Sequence, residues 1–189
     1  MAYMIIETLT VPLDRKEYES READEKKKLL NPIDSKIVGI GIKRQGMDPQ
    51  VIMANDEAEI LTIFWKEIAK HKTTGFMIAG FNVKEFDLPF LVTRSFIANV
   101  EIVPFVLKEI VDIREKLSAY KFGNVRGKLR EFAQLLNIET TGFDVEQIPD
   151  EYWNGDMKKI EQQVRKDLEI TETLYQRIIR LRINKIERW

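Results

Sequence analysis

The sequence predicts an α/β fold built on a mixed sheet, an antiparallel three-strand meander followed by helices that alternate with short strands. Three observations predict it. β-rich runs with short connections crowd the chain up to Met53, and amphipathic helical patterns begin only at Asp56. The apolar runs between the later helices are too brief to be helices themselves.

The first strand is expected over Tyr3–Glu7, which puts Glu7 at its C-terminal end, the side of an open α/β sheet where ligands bind. The charged stretch from Asp14 to Lys28 reads as a solvated loop or short helix. "NPIDSKIVGIGIKR" gives a turn and a strand over Lys36–Lys43, and Val51–Met53 completes the meander. Asp56 and Glu59 match a helix-opening D-x-x-E pattern. Ile60, Leu61, Phe64, Trp65 and Ile68 form the apolar face of that helix, which stops near His71. Gly75 precedes a short buried strand, Phe76–Gly80. Pro89 suits the first turn of a helix running to about Asn99. Ile110–Ile113 reads as a further short strand and Gly127–Leu136 as a helix with Leu129, Phe132, Ala133 and Leu136 on one face. A last long helix starts near Asp156 and runs nearly to Trp189. With 189 residues, no internal repeat and no low-complexity linker, residues 1–189 are expected to form one domain.

Composition removes several kinds of chemistry. The chain is 44% hydrophobic and 32% charged, as expected of a soluble globular protein. No apolar run approaches the roughly 20 residues of a membrane helix. The first residues lack a signal peptide's basic start and apolar stretch, so a cytoplasmic location is expected. Cysteine is absent and His71 is the single histidine, which excludes thiolate metal sites and disfavours a zinc site or a Ser-His-Asp triad. A metal here would be held by carboxylates, favouring Mg²⁺ or Mn²⁺. The net charge of −1 gives no global attraction to nucleic acid, although local basic patches and bound cations can offset phosphate charge.

Three acids stand out. Glu7 ends the first strand. Asp87 follows the Phe76–Gly80 strand closely enough to reach the same rim, and an acid near a helix N-terminus also stabilises the dipole without any metal. Asp167 lies within an apolar stripe of the last helix, with Ile160, Val164, Thr171, Leu174 and Ile178. A carboxylate there needs a basic partner or a metal. Converging from a strand end, a helix start and a helix face, the three could hold two cations roughly 3.5–4 Å apart for phosphodiester cleavage.

The order of "MIIET" (Met4–Thr8), "NPIDSKIVGIGIK" (Asn31–Lys43), "GFNVKEFDLPFL" (Gly80–Leu91), "GKLREFAQLL" (Gly127–Leu136) and "RKDLEITETLY" (Arg165–Tyr175) resembles the DnaQ-like 3′–5′ exonuclease superfamily on the RNase H-like fold. The likeness is greatest to the exonucleases related to family B DNA polymerases, and Asn82 with Phe86-Asp87-Leu88-Pro89 is its most specific part. The resemblance implies four acids holding two metals, with a tyrosine or histidine that helps position the attacking water. It makes Glu7 the second acid of the first motif, Asp87 the acid of the second and Asp167 that of the third. Asn82 would lie near the substrate strand and Phe86 would pack beneath the site.

Two positions depart from the pattern. The first acid falls on Ile5, which shares a strand face with Glu7 and supplies no oxygen. The tyrosine four residues before Asp167 is Gln163, and the alternative histidine falls on Gln162. Tyr152 is expected to pack in the loop before the last helix. Asp112, in the possible strand "IVDI", is the best candidate for a replacement acid, with a structural role the simpler reading.

The resemblance therefore implies a protein related to two-metal exonucleases that act on single-stranded 3′ ends of DNA or RNA, using Mg²⁺ or Mn²⁺ if active, with activity reduced or lost. Two alternatives stand beside it. One is a fully active Mg²⁺- or Mn²⁺-dependent DNA exonuclease, with bases stacking on Phe81 or Phe90. The other is a non-catalytic module that binds nucleic acid or a replication or repair protein. For that module the C-terminal "RIIRLRINKIERW" offers a basic surface, although the simpler reading is an amphipathic helix packed through Ile178, Ile179 and Ile186. A generic nucleotide-binding module lacks the Gly-rich phosphate loop it would need.

Overall fold

The computed structural model describes residues 2–72, 75–121, 127–141 and 145–187. Strand β1 (Tyr3–Pro12) leads into two short helices, α1 (Arg15–Ser20) and α2 (Ala23–Lys28), where the sequence suggested a loop or one helix. Strands β2 (Ser35–Arg44) and β3 (Gln50–Ile52) follow, then α3 (Glu57–Lys72), β4 (Met77–Gly80) and α4 (Asp87–Ile97). The remainder is β5 (Val111–Asp112), α5 (Ile113–Leu117), α6 (Leu129–Leu135), α7 (Ile148–Trp153) and α8 (Met157–Arg180). The strands form one sheet in the order β3-β2-β1-β4-β5. The β1, β2 and β3 pairings are antiparallel, whereas β4 runs parallel to both β1 and β5.

Three expectations need correction. β1 does not stop at Glu7 but runs on to Pro12, because Thr8–Pro12 keeps its ladder with the long β2, from Thr8 opposite Ile40 to Pro12 opposite Ser35. Glu7 is thus mid-strand with respect to β2. On the other side, β4 pairs only with Tyr3–Ile5, so Glu7 lies just past the place where β1 loses its parallel neighbour. The last helix ends at Arg180, and Arg182 (φ 60°) turns the chain back into a single 3₁₀ turn. The apolar stripe that holds α8 down reaches Arg182 one step after Ile178, and a solvated cation gives the helix nothing further to bury. The remainder of that expectation, residues 188 and 189, lies outside the described residues. Tyr152 belongs to α7 rather than a loop.

The sheet is covered on both faces, which strand alternation dictates. Met4 and Ile6 of β1, with Ile40 and Ile42 of β2, pack on Leu61, Phe64 and Trp65 of α3 and Leu88 and Leu91 of α4. Tyr3, Ile5, Leu9 and Val11 face Ile160, Val164, Leu168 and Tyr175 of α8. Glu7 is the polar member of that second row. On the α3/α4 side, the buried Arg94–Glu57 pair (2.6 Å) ties the two helices together, while Glu57 also accepts the Ile37 N–H at 2.6 Å. Both charges are thereby hydrogen-bonded, the condition under which a buried ion pair is tolerated.

Gly41 controls how closely α8 approaches. It stands opposite Glu7 in the β1–β2 register, and a Cβ there would come within 2.6 Å of Val164 Cγ1 and 2.9 Å of Leu168 Cδ1. A residue with any side chain would lift the helix turn that carries Asp167. We predict that Gly41→Val destabilises the fold by about 1–3 kcal/mol, the usual cost of overfilling a packed interface. Urea unfolding monitored by circular dichroism checks this, with a lower midpoint and an unchanged slope expected.

Candidate active site at the open edge of the first strand

Past Ile5 the β4 side of β1 meets no further strand among the described residues, and Asp87 fills that gap. As the first residue of α4, its Oδ1 accepts the Thr8 N–H at 2.6 Å and the Thr8 hydroxyl at 2.9 Å. Pro89 and the preceding loop put α4 there: Gly80 ends β4, and Asn82 adopts a left-handed backbone (φ 62°), which asparagine tolerates better than most residues. Loop and β5 are joined by Asp112. This acid caps α5 through the N–H groups of Arg114 and Glu115 and accepts those of Asn82 (3.1 Å) and Lys84 (3.0 Å).

A cavity of about 530 Å³ opens beside this edge. Glu7, Asn82, Asp87, Gln163 and Asp167 all contribute to its wall, together with Thr8, Phe81, Phe86, Arg114, Lys128 and Arg130. The five polar positions singled out in the sequence thus share one cavity. Ile5 does not line it; the side chain is fully buried in the packing between β1 and α8. Asp112 is absent from the wall as well, and its four backbone donors give it the structural role. Phe90 is buried in the core, so it offers no face to a base. Phe81 does reach the cavity, edge-on to Phe132 at 5.8 Å between centroids. Phe86 lies against Phe90 at the cavity wall, 4.9 Å between centroids. Tyr152 stacks under the Lys36 ammonium (5.5 Å) away from the acids.

The stripe of α8 is buried as its spacing requires, and Asp167 is within it. Its Oδ2 accepts from Gln163 Nε2 at 2.8 Å, one helical turn earlier, and Gln163 Oε1 in turn accepts from the Thr141 hydroxyl. On the opposite wall Arg114 donates to Asn82 Oδ1 at 3.1 Å. Thr8, Arg114 and Thr141 are the participants that sequence reasoning missed. Thr8 was inside a quoted motif, but its role depends on an edge that β4 leaves open, which no local pattern reveals.

The electrostatics are those of acids forced together. Burial pushes the Glu7 carboxyl well above the usual carboxylate range, and the charges of Asp167 and then Asp87 push it further. No hydrogen bond or ion pair reaches Glu7 from the described residues to offset this. Asp87 is pushed up to about 7, mainly by burial and slightly by Asp112, against the lowering effect of the Thr8 hydrogen bonds and its own amide. Among the described residues no three acidic or imidazole groups stand close enough together to form a ready metal cage. The donors are all carboxylate oxygens, which suit a hard divalent cation in kind.

The sheet order, the antiparallel meander and the two covered faces define an RNase H-like exonuclease fold. Within that class the chain belongs to the family described as DNA polymerase family B, exonuclease domain, whose sequence model matches residues 13–130. Glu7, Gln163 and Asp167 lie outside that match. The family B DNA polymerase from the hyperthermophilic archaeon Pyrobaculum calidifontis shares the fold, with a TM-score of 0.72 at 14% identity, covering 97% of this chain. The chain spans 25% of the length of that polymerase. No curated protein sequence matches. Among the described residues no helix is long and apolar enough to cross a membrane.

The raised Asp87 value has a sign that can be tested in chelator-treated protein. A carboxyl whose folded value exceeds its unfolded one favours the folded state fully below about pH 4, and that contribution is lost as pH rises through about 7. The rise from 3.8 to about 7 corresponds to a loss on the order of 4 kcal/mol. Thermal melts from pH 4.5 to 8.5 should show this decline. Asp87→Asn keeps an oxygen for Thr8 and should flatten the profile and raise Tm at pH 8.

Proposed function

We propose that this chain, as one domain, is an exonuclease-type nucleic-acid-processing module in which Glu7, Asp87 and Asp167 are the surviving acids of a metal-dependent site. In this reading hydrolysis at a single-stranded 3′ end is reduced or lost. The observation that carries the proposal is the convergence of those three acids on one cavity, where burial and mutual repulsion lift the Glu7 carboxyl. Membership of a nucleic-acid-acting family supplies the substrate class.

A Mg²⁺ or Mn²⁺ ion held by Glu7, Asp87 and Asp167 would neutralise phosphate charge and make a water more acidic. The chain's own groups supply the rest. Thr8 holds Asp87 in a single orientation through two hydrogen bonds to one oxygen. Gln163 holds Asp167 and, with Asn82, lines the route of the substrate strand. Gln163 stands where the family resemblance expects a water-positioning tyrosine, and an amide has no phenolic hydroxyl to take that part. Lys128 and Arg130 on the cavity rim give cationic groups to phosphates. Phe81 presents an aromatic surface to a terminal base. Ile5 supplies no oxygen where the family resemblance expects an acid, so a cation would find one fewer anionic donor there.

The decisive experiment combines Mn²⁺ calorimetry with digestion of a 5′-labelled single strand. The unaltered protein should bind Mn²⁺ weakly and cleave slowly or not at all. Ile5→Asp should melt at a lower temperature than the unaltered protein without metal, since it buries a further charge. With Mn²⁺ it should recover stability and cleave at least tenfold faster. An Ile5→Asp protein that neither binds Mn²⁺ nor cleaves would refute the surviving-acid reading. Brisk digestion by the unaltered protein, abolished by Asp87→Ala, would instead establish a fully active enzyme.

A further inference from the structure

The end of α8 was expected to pack through Ile178, Ile179 and Ile186. Only Ile178 is buried; Ile179 and Ile186 are each 40% exposed and Leu181 is 54% exposed. Around them Arg177, Arg180, Arg182 and Lys185 are also exposed, and none forms an ion pair among the described residues. The left-handed turn at Arg182 folds the 3₁₀ segment Ile183–Lys185 back beside α8, where Lys116 of α5 donates to the Ile186 carbonyl. The four cations are therefore held on one short, doubled-back piece of chain.

Acids that face this end are already engaged. Glu172 bonds Lys43 (3.2 Å) and the Tyr3 hydroxyl (2.7 Å), and Glu115 of the neighbouring α5 bonds Lys84 (2.7 Å). Glu187 is the remaining exposed acid on this segment. A charge near the helix C-terminus has a modest dipole benefit, but that operates within the last turn and does not account for Arg182 or Lys185 beyond it. The patch is also remote from the cavity. Glu172 and Gln176 contact Tyr3, the start of β1, whereas Asp167 faces Glu7 further along that strand. Arg180 lies about 20 Å from Asp167 along the axis of α8 at about 1.5 Å per residue.

We propose that Arg177, Arg180, Arg182 and Lys185 form a second nucleic-acid contact, gripping the phosphate backbone independently of the 3′-end cavity. Unpaired guanidinium groups suit phosphate oxygens. In a chain of net charge −1, a polyanion is drawn to local clusters of cations rather than to the molecule as a whole.

The test uses closed circular duplex DNA, which has no 3′ end, so that failure of the cavity reading leaves this measurement untouched. Binding is followed by fluorescence anisotropy from 25 to 200 mM salt. Replacing three cations in the combined variant Arg177→Ser, Arg180→Ser, Arg182→Asn should lower affinity at least tenfold at the lowest salt. It should also reduce the slope of log affinity against log salt by about 2–3, at about 0.9 per lost phosphate contact. The Lys replacement of the same three arginines should retain most of the affinity, and circular dichroism should show both variants folded. Unchanged affinity and slope in the Ser/Asn variant would overturn the proposal. So would loss of binding in the Lys variant equal to that in the Ser/Asn variant. Binding of poly-glutamate through these residues, with DNA binding unaffected, would assign the surface to an acidic protein and likewise overturn it.

Discussion

The shortness of β4 is the constraint on which the cavity depends. Because β4 pairs with Tyr3–Ile5, β1 continues past it with one edge that no strand covers among the described residues. A buried backbone N–H left without a partner costs free energy comparable to a lost hydrogen bond. Asp87 answers the Thr8 N–H from the first turn of α4, so the helix start, the strand edge and the cavity wall are settled by one interaction. A longer β4 would satisfy Thr8 with backbone and close the space that Glu7 borders.

The same geometry makes the acids costly. Asp87 has two hydrogen bonds and a helix N-terminus in its favour, yet burial prevails and its carboxyl titrates near neutrality. Glu7 lacks even that compensation, and its two acidic neighbours raise it further. Such a cluster favours either protons or cations. Ile5, in the adjoining core position, is buried in the same apolar cluster as Val164 and Leu168, and a further carboxylate there would add repulsion.

Both helix faces and most strands were legible because burial imposes periodicity. The stripe from Ile160 to Ile178 and the row Ile60, Leu61, Phe64 and Trp65 could be read from spacing, and all are buried. The errors fall where tertiary partners overrule local pattern. β1 is longer than its motif because β2 is long, and α8 is shorter because its stripe meets Arg182. Asp112 looked like a spare acid, but four backbone N–H groups converge on it, a role visible only once β5 lies beside the β4–α4 loop.

The sequence by itself determined the order of elements, three acids in an order that resembles a family's, the absence of thiol chemistry, and an isoleucine where that resemblance places an acid. These are local properties, carried by residue type and spacing. Tertiary structure decided that Glu7, Asp87, Asp167, Asn82 and Gln163 share one cavity, and that Ile5 is sealed behind it. It also decided that the basic end of α8 stands in solvent. Those outcomes depend on contacts between residues far apart in the chain, on the space Gly41 leaves for α8 and on the edge β4 leaves open, and neither space is a property of any one segment.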